Sequence, residues 1–190
     1  MRGEWCYVTN LFTPEECAKI ISDGLNIPTQ ETTLGVEGTK ADPKFRSSTN
    51  RFFRHDDPRF EWIFDRIWKH TIICNREWFR FNINKLEYIQ FAKYNSETND
   101  HYAKHIDVFW MNNDPIFHRK ISCVVQLSDP STYEGCDFKL WNVGEEPSKE
   151  SIRKQGTGIF IPSFVEHQAM PILSGTRYSL AAWIEGPKFV

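Results

Sequence analysis

The chain has 190 residues, which fits one domain large enough to bury roughly 70% of the surface that its unfolded form would expose. Its 23 basic and 25 acidic side chains give a net charge of −2, without any Lys/Arg-rich run. Tight non-specific nucleic-acid binding needs a basic excess, so nucleic acid is not the expected partner. No stretch approaches the roughly eighteen apolar residues of a membrane span, and the N-terminus shows no apolar signal segment.

The cysteines also bear on the class of protein. Their number, five, is odd, and they are widely scattered without a Cys-x-x-Cys pair, which argues against a disulfide framework and a zinc knuckle. We expect reduced thiols and a cytoplasmic location, in the host cytoplasm if the chain is viral. The sequence leaves the oligomeric state open.

The first predicted elements are a short strand at 5–8 and a helix. Thr13-Pro14-Glu15-Glu16 provides an N-cap, a proline at the first helical position and acidic first-turn residues, which predicts a helix from Pro14 to about Asp23, ending at Gly24. Residues 26–50 lack apolar periodicity and predict a long surface loop or irregular strands.

A second helix and a run of strands follow. Asp57-Pro58 repeats the cap-plus-proline signal ahead of apolar residues at helical spacing, which predicts a helix over 58–74. Strands are predicted at 84–94, 102–110, 119–128, 137–141, 158–161, 166–171 and 176–185. Helices followed by strands predict an α+β, mainly β, protein built on an antiparallel sandwich. We expect a single domain over 1–190, with helical support and loops in 1–83 and the β core in 84–190.

A His-x-Asp pair at His105 and Asp107 is the first candidate for chemistry. Side chains at i and i+2 of a strand share a face, so both can hold one metal ion from one side. His167, between two later predicted strands, is the candidate third ligand. Two imidazoles and a carboxylate with open coordination positions form the facial triad of non-haem Fe(II) oxygenases, which favours redox chemistry with O2. A hydrogen-bonded surface strand is the alternative for the pair alone.

Arg177 begins a predicted strand whose residues 177, 179, 181 and 183 share one face. Ser179 and Ala181 beside it are small and leave space for a bound anion. A guanidinium matches a carboxylate with two parallel hydrogen bonds, and the Ser179 hydroxyl can add a third. The pattern indicates a site for a dicarboxylic co-substrate, with an edge-strand ion pair as the alternative.

Together these residues resemble the Fe(II)/2-oxoglutarate-dependent dioxygenases of the prolyl-4-hydroxylase type, in particular small bacterial and phage members. The resemblance covers about 86–187. Its motifs are His105-Ile106-Asp107, Leu127-Ser128-Asp129-Pro130, Tyr133-Glu134-Gly135-Cys136-Asp137-Phe138, Gly156-Thr157-Gly158-Ile159-Phe160-Ile161-Pro162-Ser163, His167, Arg177-Tyr178-Ser179-Leu180 and Trp183-Ile184. One departure is Cys136, where relatives usually carry a second glycine, so we expect a bulge of different shape that does not use a second glycine's positive φ.

The resemblance implies a double-stranded β-helix, or jelly roll, with the N-terminal helices supporting one sheet. It implies that His105, Asp107 and His167 bind Fe(II) and carry catalysis, while Arg177 pairs with the distal carboxylate of 2-oxoglutarate. Three further co-substrate contacts are expected on the strands, at Tyr94, Gln126 and Ser179.

The implied activity is hydroxylation of a prolyl residue in a protein or peptide, with O2 and 2-oxoglutarate as co-substrates and release of succinate and CO2. L-Ascorbate is a further cofactor that the resemblance allows. Two alternatives stay open. One is a 2-oxoglutarate dioxygenase for a small molecule, nucleobase or other side chain, and the other is a non-catalytic metal-binding jelly roll.

Two loops, 26–50 and 95–118, are the candidates for covering the metal. Arg46 in the first loop is a candidate substrate contact. Four residues of the second loop either clamp an extended peptide or seal the barrel mouth: Tyr102, Phe109, Trp110 and Met111.

Overall fold

A computed structural model describes residues 3–30, 33–34, 39–40, 42–108 and 117–189. The α-helices in these ranges are α1 (Pro14–Leu25), α2 (Glu61–Cys74) and α3 (Lys149–Arg153). The strands are β1 (Cys6–Val8), β2 (Thr33–Leu34), β3 (Thr39–Lys40), β4 (Arg46–Ser47), β5 (Thr49–Arg54), β6 (Lys85–Asn95), β7 (His101–His105), β8 (Phe117–Gln126), β9 (Tyr133–Gly135), β10 (Phe138–Leu140), β11 (Gly158–Pro162), β12 (His167–Ala169) and β13 (Ile172–Pro187).

Helix α1 begins where the sequence predicts. The Thr13 hydroxyl accepts from the Glu16 amide at 3.2 Å, and the Glu16 carboxylate accepts from the Thr13 amide at 2.9 Å, which completes a capping box. The helix ends at Leu25, one residue beyond the predicted end at Gly24, and that glycine lies against the Phe91 ring, where an added Cβ would be 3.0 Å from the nearest ring atom. Among the described residues, no helix is long and apolar enough to cross a membrane.

Helix α2 begins three residues after the predicted start at Pro58. Asp57 caps a turn instead, since its carboxylate accepts from the Arg59 amide at 3.1 Å and its carbonyl accepts from the Phe60 amide at 3.1 Å. At the other end, α2 runs into an unpredicted π-helix, Asn75–Phe79, which ends at Arg80 with a φ of 59°.

The main sheet is antiparallel and has the strand order β1-β11-β8-β13-β6-β5, with β9 paired to β13. Strand β13 is central, because it pairs with β6, β8 and β9. This register places Arg177 opposite Tyr94, and Ser179 opposite both Ala92 and Gln126.

A second sheet has the order β10-β12-β7-β4, and β2 pairs with β3. In the second sheet His167 lies directly opposite His105, and Arg46 lies opposite Tyr102. His105 and His167 are 62 positions apart in the sequence, and the pairing of their strands brings them together.

The main apolar core lies between the helices and one face of the main sheet. Its members from α1, α2, β6, β8 and β13 include Ile20, Ile63, Phe64, Phe91, Val125 and Leu180. Burial of these side chains supplies the main driving force for folding. Helices followed by antiparallel strands in facing sheets confirm the predicted mainly β fold with supporting N-terminal helices.

Some strand boundaries differ from the prediction. The strand predicted at 102–110 ends at His105, and residues 109–110 lie outside the described ranges. For 26–50, where a surface loop or irregular strands were predicted, the structure has the short strands β2, β3 and β4 and the start of β5. Strand β9 and helix α3 were not predicted.

Candidate active site

His105, Asp107 and His167 lie together at the end of the second sheet, and their ligand atoms are all within 4.8 Å of one another. The Nε2 atom of His105 is 3.6 Å from Oδ1 of Asp107, and Nε2 of His167 is 3.3 Å from Oδ2. All three side chains are largely buried. This is the donor set that the sequence predicted, two imidazoles and one carboxylate.

The backbone position of Asp107 differs from the predicted one. It lies beyond the end of β7, so the expectation that His105 and Asp107 share a strand is wrong. The Asp107 amide donates to the Ser163 carbonyl at 2.8 Å, and the Val108 amide donates to the same carbonyl at 3.1 Å. A contact with the residue following β11 therefore holds the backbone of Asp107.

Both imidazoles are oriented by the same local device. Nδ1 of His105 hydrogen-bonds to the Ala103 carbonyl at 2.7 Å, and Nδ1 of His167 hydrogen-bonds to the Val165 carbonyl at 2.9 Å. Because a carbonyl oxygen only accepts, each Nδ1 must carry the proton that it donates. Nε2 is left as the nitrogen available to a metal ion on both rings.

Burial and mutual charge set the protonation of the three groups. Burial and, to a lesser extent, the neighbouring His167 lower the pKa of His105 to about 4, so this imidazole is neutral near pH 7. Burial alone would raise the pKa of Asp107, but His167 and His105 outweigh it and hold that pKa well below its usual range. Burial would lower the pKa of His167, yet the Asp107 carboxylate raises it overall. The site thus offers an ionised oxygen ligand at neutral pH.

The carboxylate of Asp107 has a partner that the sequence pattern did not single out. The Ser122 hydroxyl lies 2.6 Å from Oδ2 of Asp107 and 3.0 Å from the Ser163 hydroxyl. Ser122 is a polar residue inside the apolar run Ile121–Val125 of β8. That local exception is the signal from which it could have been found.

Arg177 is 1% exposed and faces the same pocket as the three metal-ligand candidates. Its Nε and Nη2 donate to Oε1 of Gln126 at 3.0 and 2.7 Å, and its Nη1 donates to the Cys136 sulfur at 3.7 Å. Among the described residues, no carboxylate pairs with this guanidinium. A buried cation without a carboxylate partner destabilises the folded state unless a bound anion compensates its charge.

A count of the hydrogens on the guanidinium shows what remains for a ligand. Arginine has five N–H donors in a fixed fork. Gln126 accepts two of them and Cys136 accepts a third. One hydrogen on each Nη has no acceptor within the described part of the chain. Two N–H groups, one on each Nη, are therefore available to a bound carboxylate, which accepts more than one hydrogen bond from a guanidinium.

The other predicted contacts surround this cation. Ser179 and Tyr94 line the pocket, and the guanidinium carbon of Arg177 lies 5.4 Å from the centre of the Tyr94 ring. Gln126 is buried and holds Arg177, so its contact is with the arginine itself. The remaining lining mixes small and aromatic residues: Ala92, Ala169, Ala181, Phe138 and Trp183.

In the pocket lining, Tyr102 stacks on His105 with ring centres 3.6 Å apart. The Arg46 guanidinium lies over the other side of Tyr102, 4.3 Å from its centre, and donates to Ser48 and Asn50. The other three predicted clamp residues lie outside the described residues: Phe109, Trp110 and Met111.

The turn at Gly135 and Cys136 corrects one expectation. Cys136 adopts a φ of 50° after Gly135 at 74°, so the positive φ is present without the second glycine. A non-glycine residue in this region is strained, and here its sulfur contacts Arg177.

The sequence model of the 2OG-Fe(II) oxygenase superfamily matches residues 89–185, just over half of the chain. The chain belongs to this superfamily. The match includes the three metal-ligand candidates and Arg177.

Curated members of the superfamily from bacteria are similar to the chain. A PKHD-type hydroxylase of Colwellia psychrerythraea is 33% identical over 84 residues, which cover 44% of this chain and 37% of that protein. A PKHD-type hydroxylase of Synechococcus is 33% identical over 90 residues, covering 47% and 39%. The matched region thus spans about two fifths of each relative.

Solved structures extend the likeness to nearly the whole chain. The viral collagen prolyl hydroxylase of Paramecium Bursaria Chlorella virus-1, solved as a 2OG complex, superposes with a TM-score of 0.71 at 20% identity over 97% of each chain. A Trichoplax adhaerens prolyl hydroxylase, solved with a hypoxia inducible factor peptide, gives a TM-score of 0.74 at 15% identity over 95% of this chain and 83% of that one. These likenesses confirm the predicted jelly roll.

Proposed function

We propose that the protein is an Fe(II)- and 2-oxoglutarate-dependent dioxygenase that hydroxylates a prolyl residue in a protein or peptide. The observation that carries the proposal is the joint placement, in one pocket, of a His-Asp-His ligand set and a buried arginine with two unused N–H donors. A metal site alone would fit many proteins. The additional buried cation selects an anionic co-substrate.

The donor set fits Fe(II). Nε2 of His105, Nε2 of His167 and a carboxylate oxygen of Asp107 would hold the ion and leave further coordination positions open. When bound, the iron would supply oxidative chemistry in which one atom of O2 enters a substrate C–H bond and the other enters succinate as 2-oxoglutarate loses CO2. The protein's own contribution is binding, orientation and exclusion of water.

Arg177 would bind the distal carboxylate of 2-oxoglutarate through its two remaining N–H groups. Gln126 holds the guanidinium plane, because one amide oxygen accepts from both Nε and Nη2. The Ser179 hydroxyl and the Tyr94 hydroxyl, both in the pocket lining, would add contacts to the co-substrate.

A protein or peptide is the substrate class that we propose. Prolyl hydroxylases are named among the structures of this fold, one of them bound to a peptide. Tyr102 lines the same pocket and stacks on His105, so it is the aromatic residue nearest to the proposed reaction site. The five cysteines are buried and free, which supports the expected cytoplasmic location.

The first test is spectroscopic. Apo-protein is mixed with Fe(II) and 2-oxoglutarate without oxygen, and the visible metal-to-ligand charge-transfer band is recorded for wild type, His105→Ala and Arg177→Ala. We expect a band in wild type that is lost in the first variant and weakened in the second. Bound iron without a band in wild type would overturn the proposal.

The second test concerns the substrate. Proline-containing peptides are incubated aerobically with the loaded protein, with and without ascorbate, and analysed by mass spectrometry. A gain of one oxygen atom on proline supports prolyl hydroxylation. Turnover of 2-oxoglutarate without any modified proline peptide would point to the other substrate classes.

A further inference from the structure

Two buried hydroxyl groups lie behind the carboxylate of Asp107. Ser122 is 1% exposed and Ser163 is fully buried. An ionised carboxylate accepts only, so the single hydrogen of Ser122 must point to Oδ2 of Asp107, across 2.6 Å. Ser163 then has to donate its hydrogen to the Ser122 oxygen, across 3.0 Å. The bonds therefore run in one direction, from Ser163 through Ser122 to Asp107.

Ser163 also holds the backbone of the same aspartate. Its carbonyl accepts from the Asp107 amide at 2.8 Å, and its own amide donates to the Lys120 carbonyl on β8 at 3.0 Å. One residue thus fixes the Asp107 main chain directly and its side chain through Ser122. This double attachment replaces the strand pairing that ends at His105.

We propose that Ser122 and Ser163 are positioning residues that fix the rotation of the Asp107 carboxylate at the metal site. The proposal rests on the metal site of the proposed function. Oδ1 lies 3.6 Å from Nε2 of His105, and Oδ2 lies 3.3 Å from Nε2 of His167. The hydrogen bond from Ser122 to Oδ2 holds the carboxylate in the rotation that brings both oxygens to the two imidazoles.

The experiment compares the anaerobic Fe(II) affinity of four serine variants, measured by competition with a chelator, with their unfolding free energies in urea. Partners that orient a metal ligand typically contribute about 10–100-fold in affinity, so Ser122→Ala is expected to weaken Fe(II) binding by about that factor. Ser122→Cys keeps a weaker donor of similar size and should fall between this variant and wild type. Ser163→Ala keeps its backbone contacts and should lose less than about tenfold.

Ser128→Ala is the matched control. Ser128 is also buried and follows the end of β8, and its hydroxyl accepts from the Tyr178 amide at 2.7 Å, away from Asp107. This variant should lose stability but retain wild-type affinity for Fe(II).

The outcomes separate this proposal from the one on which it rests. Wild-type affinity in Ser122→Ala, or an equal loss in Ser128→Ala, would overturn the positioning role. In either case a loss of Fe(II) binding in His105→Ala would leave the metal site standing. Unchanged binding in His105→Ala would instead overturn the metal site itself.

Discussion

The main sheet has two buried faces that are made by alternate residues of the same strands and differ in chemistry. On β13, Leu180, Ala182 and Ile184 belong to the apolar core under the helices, whereas Arg177 and Ser179 face the pocket. Both faces exclude water, but only the first gains stability from doing so. No carboxylate among the described residues pairs with the buried guanidinium, which costs stability and supports the proposed binding of an anionic co-substrate on the second face. Substitutions on the two faces should therefore separate stability from function.

The largest expected effect is on the helix side. Phe91 is fully buried against Gly24 and the Phe53 ring, and Phe91→Ala should lower the free energy of unfolding by about 3–5 kcal/mol. Urea denaturation measures this loss. Fe(II) affinity of the molecules that remain folded should match wild type, and a loss below about 1 kcal/mol would contradict the division between the faces.

On the pocket side, His105→Ala should reduce Fe(II) affinity by more than about 100-fold, equivalent to about 2.7 kcal/mol, because it removes one of three ligands. The same variant should change the free energy of unfolding by less than Phe91→Ala does. Chelator competition and urea denaturation on one preparation give both quantities. A stability loss as large as that of Phe91→Ala would mean that the pocket face also maintains the fold.

Arg177→Lys should raise the KM for 2-oxoglutarate by about tenfold, or about 1.4 kcal/mol, with a smaller change in kcat. Lysine keeps the charge but loses the two Nη donors and both bonds to Gln126. Steady-state kinetics of succinate formation measures this effect. An unchanged KM would show that charge alone binds the co-substrate.

The smallest effect is expected at Cys136, which belongs to the support of the pocket face. Cys136→Gly relieves the strained positive φ but removes the sulfur that accepts from Arg177, so the KM for 2-oxoglutarate should rise about threefold, in line with about 0.5–1 kcal/mol for one hydrogen bond. The stability gained from the relaxed backbone is offset by lost burial, so unfolding should shift by less than about 1 kcal/mol.

Cys17→Ala is the matched control for that variant, because Cys17 is equally buried but lies on α1 in the helix-side core. It should lower stability without changing the KM for 2-oxoglutarate. If both cysteine variants change the KM equally, the contact between Cys136 and Arg177 has no specific effect.

Helix α1, the order of helices before strands, and the identity of the ligand candidates could be predicted because each depends on local patterns. Thr13 caps a helix through neighbours three residues away, and the alternation along β13 follows from strand geometry. The alternation could place Arg177 on the same face as Ser179, and its position downstream of His167 indicated a ligand-binding role.

The parts that sequence could not supply depend on contacts between distant segments. Asp107 is held by Ser163, 56 positions later, and no pattern around residue 107 shows where β7 ends. The positive φ of Cys136 likewise follows from packing, since local preference would place glycine there. Helix α2 starts later than predicted because Asp57 accepts hydrogen bonds within a turn instead of capping the helix. The local sequence is compatible with both arrangements.

The orientation of the two imidazoles bears on whether the protein folds before it binds iron. Each ring is held by the backbone carbonyl two residues earlier in the sequence, so the ring orientation does not depend on a bound ion. Small zinc domains, by contrast, remain unfolded until metal arrives. We expect this protein to accumulate in folded form when iron is scarce, and to become active on iron supply without new synthesis.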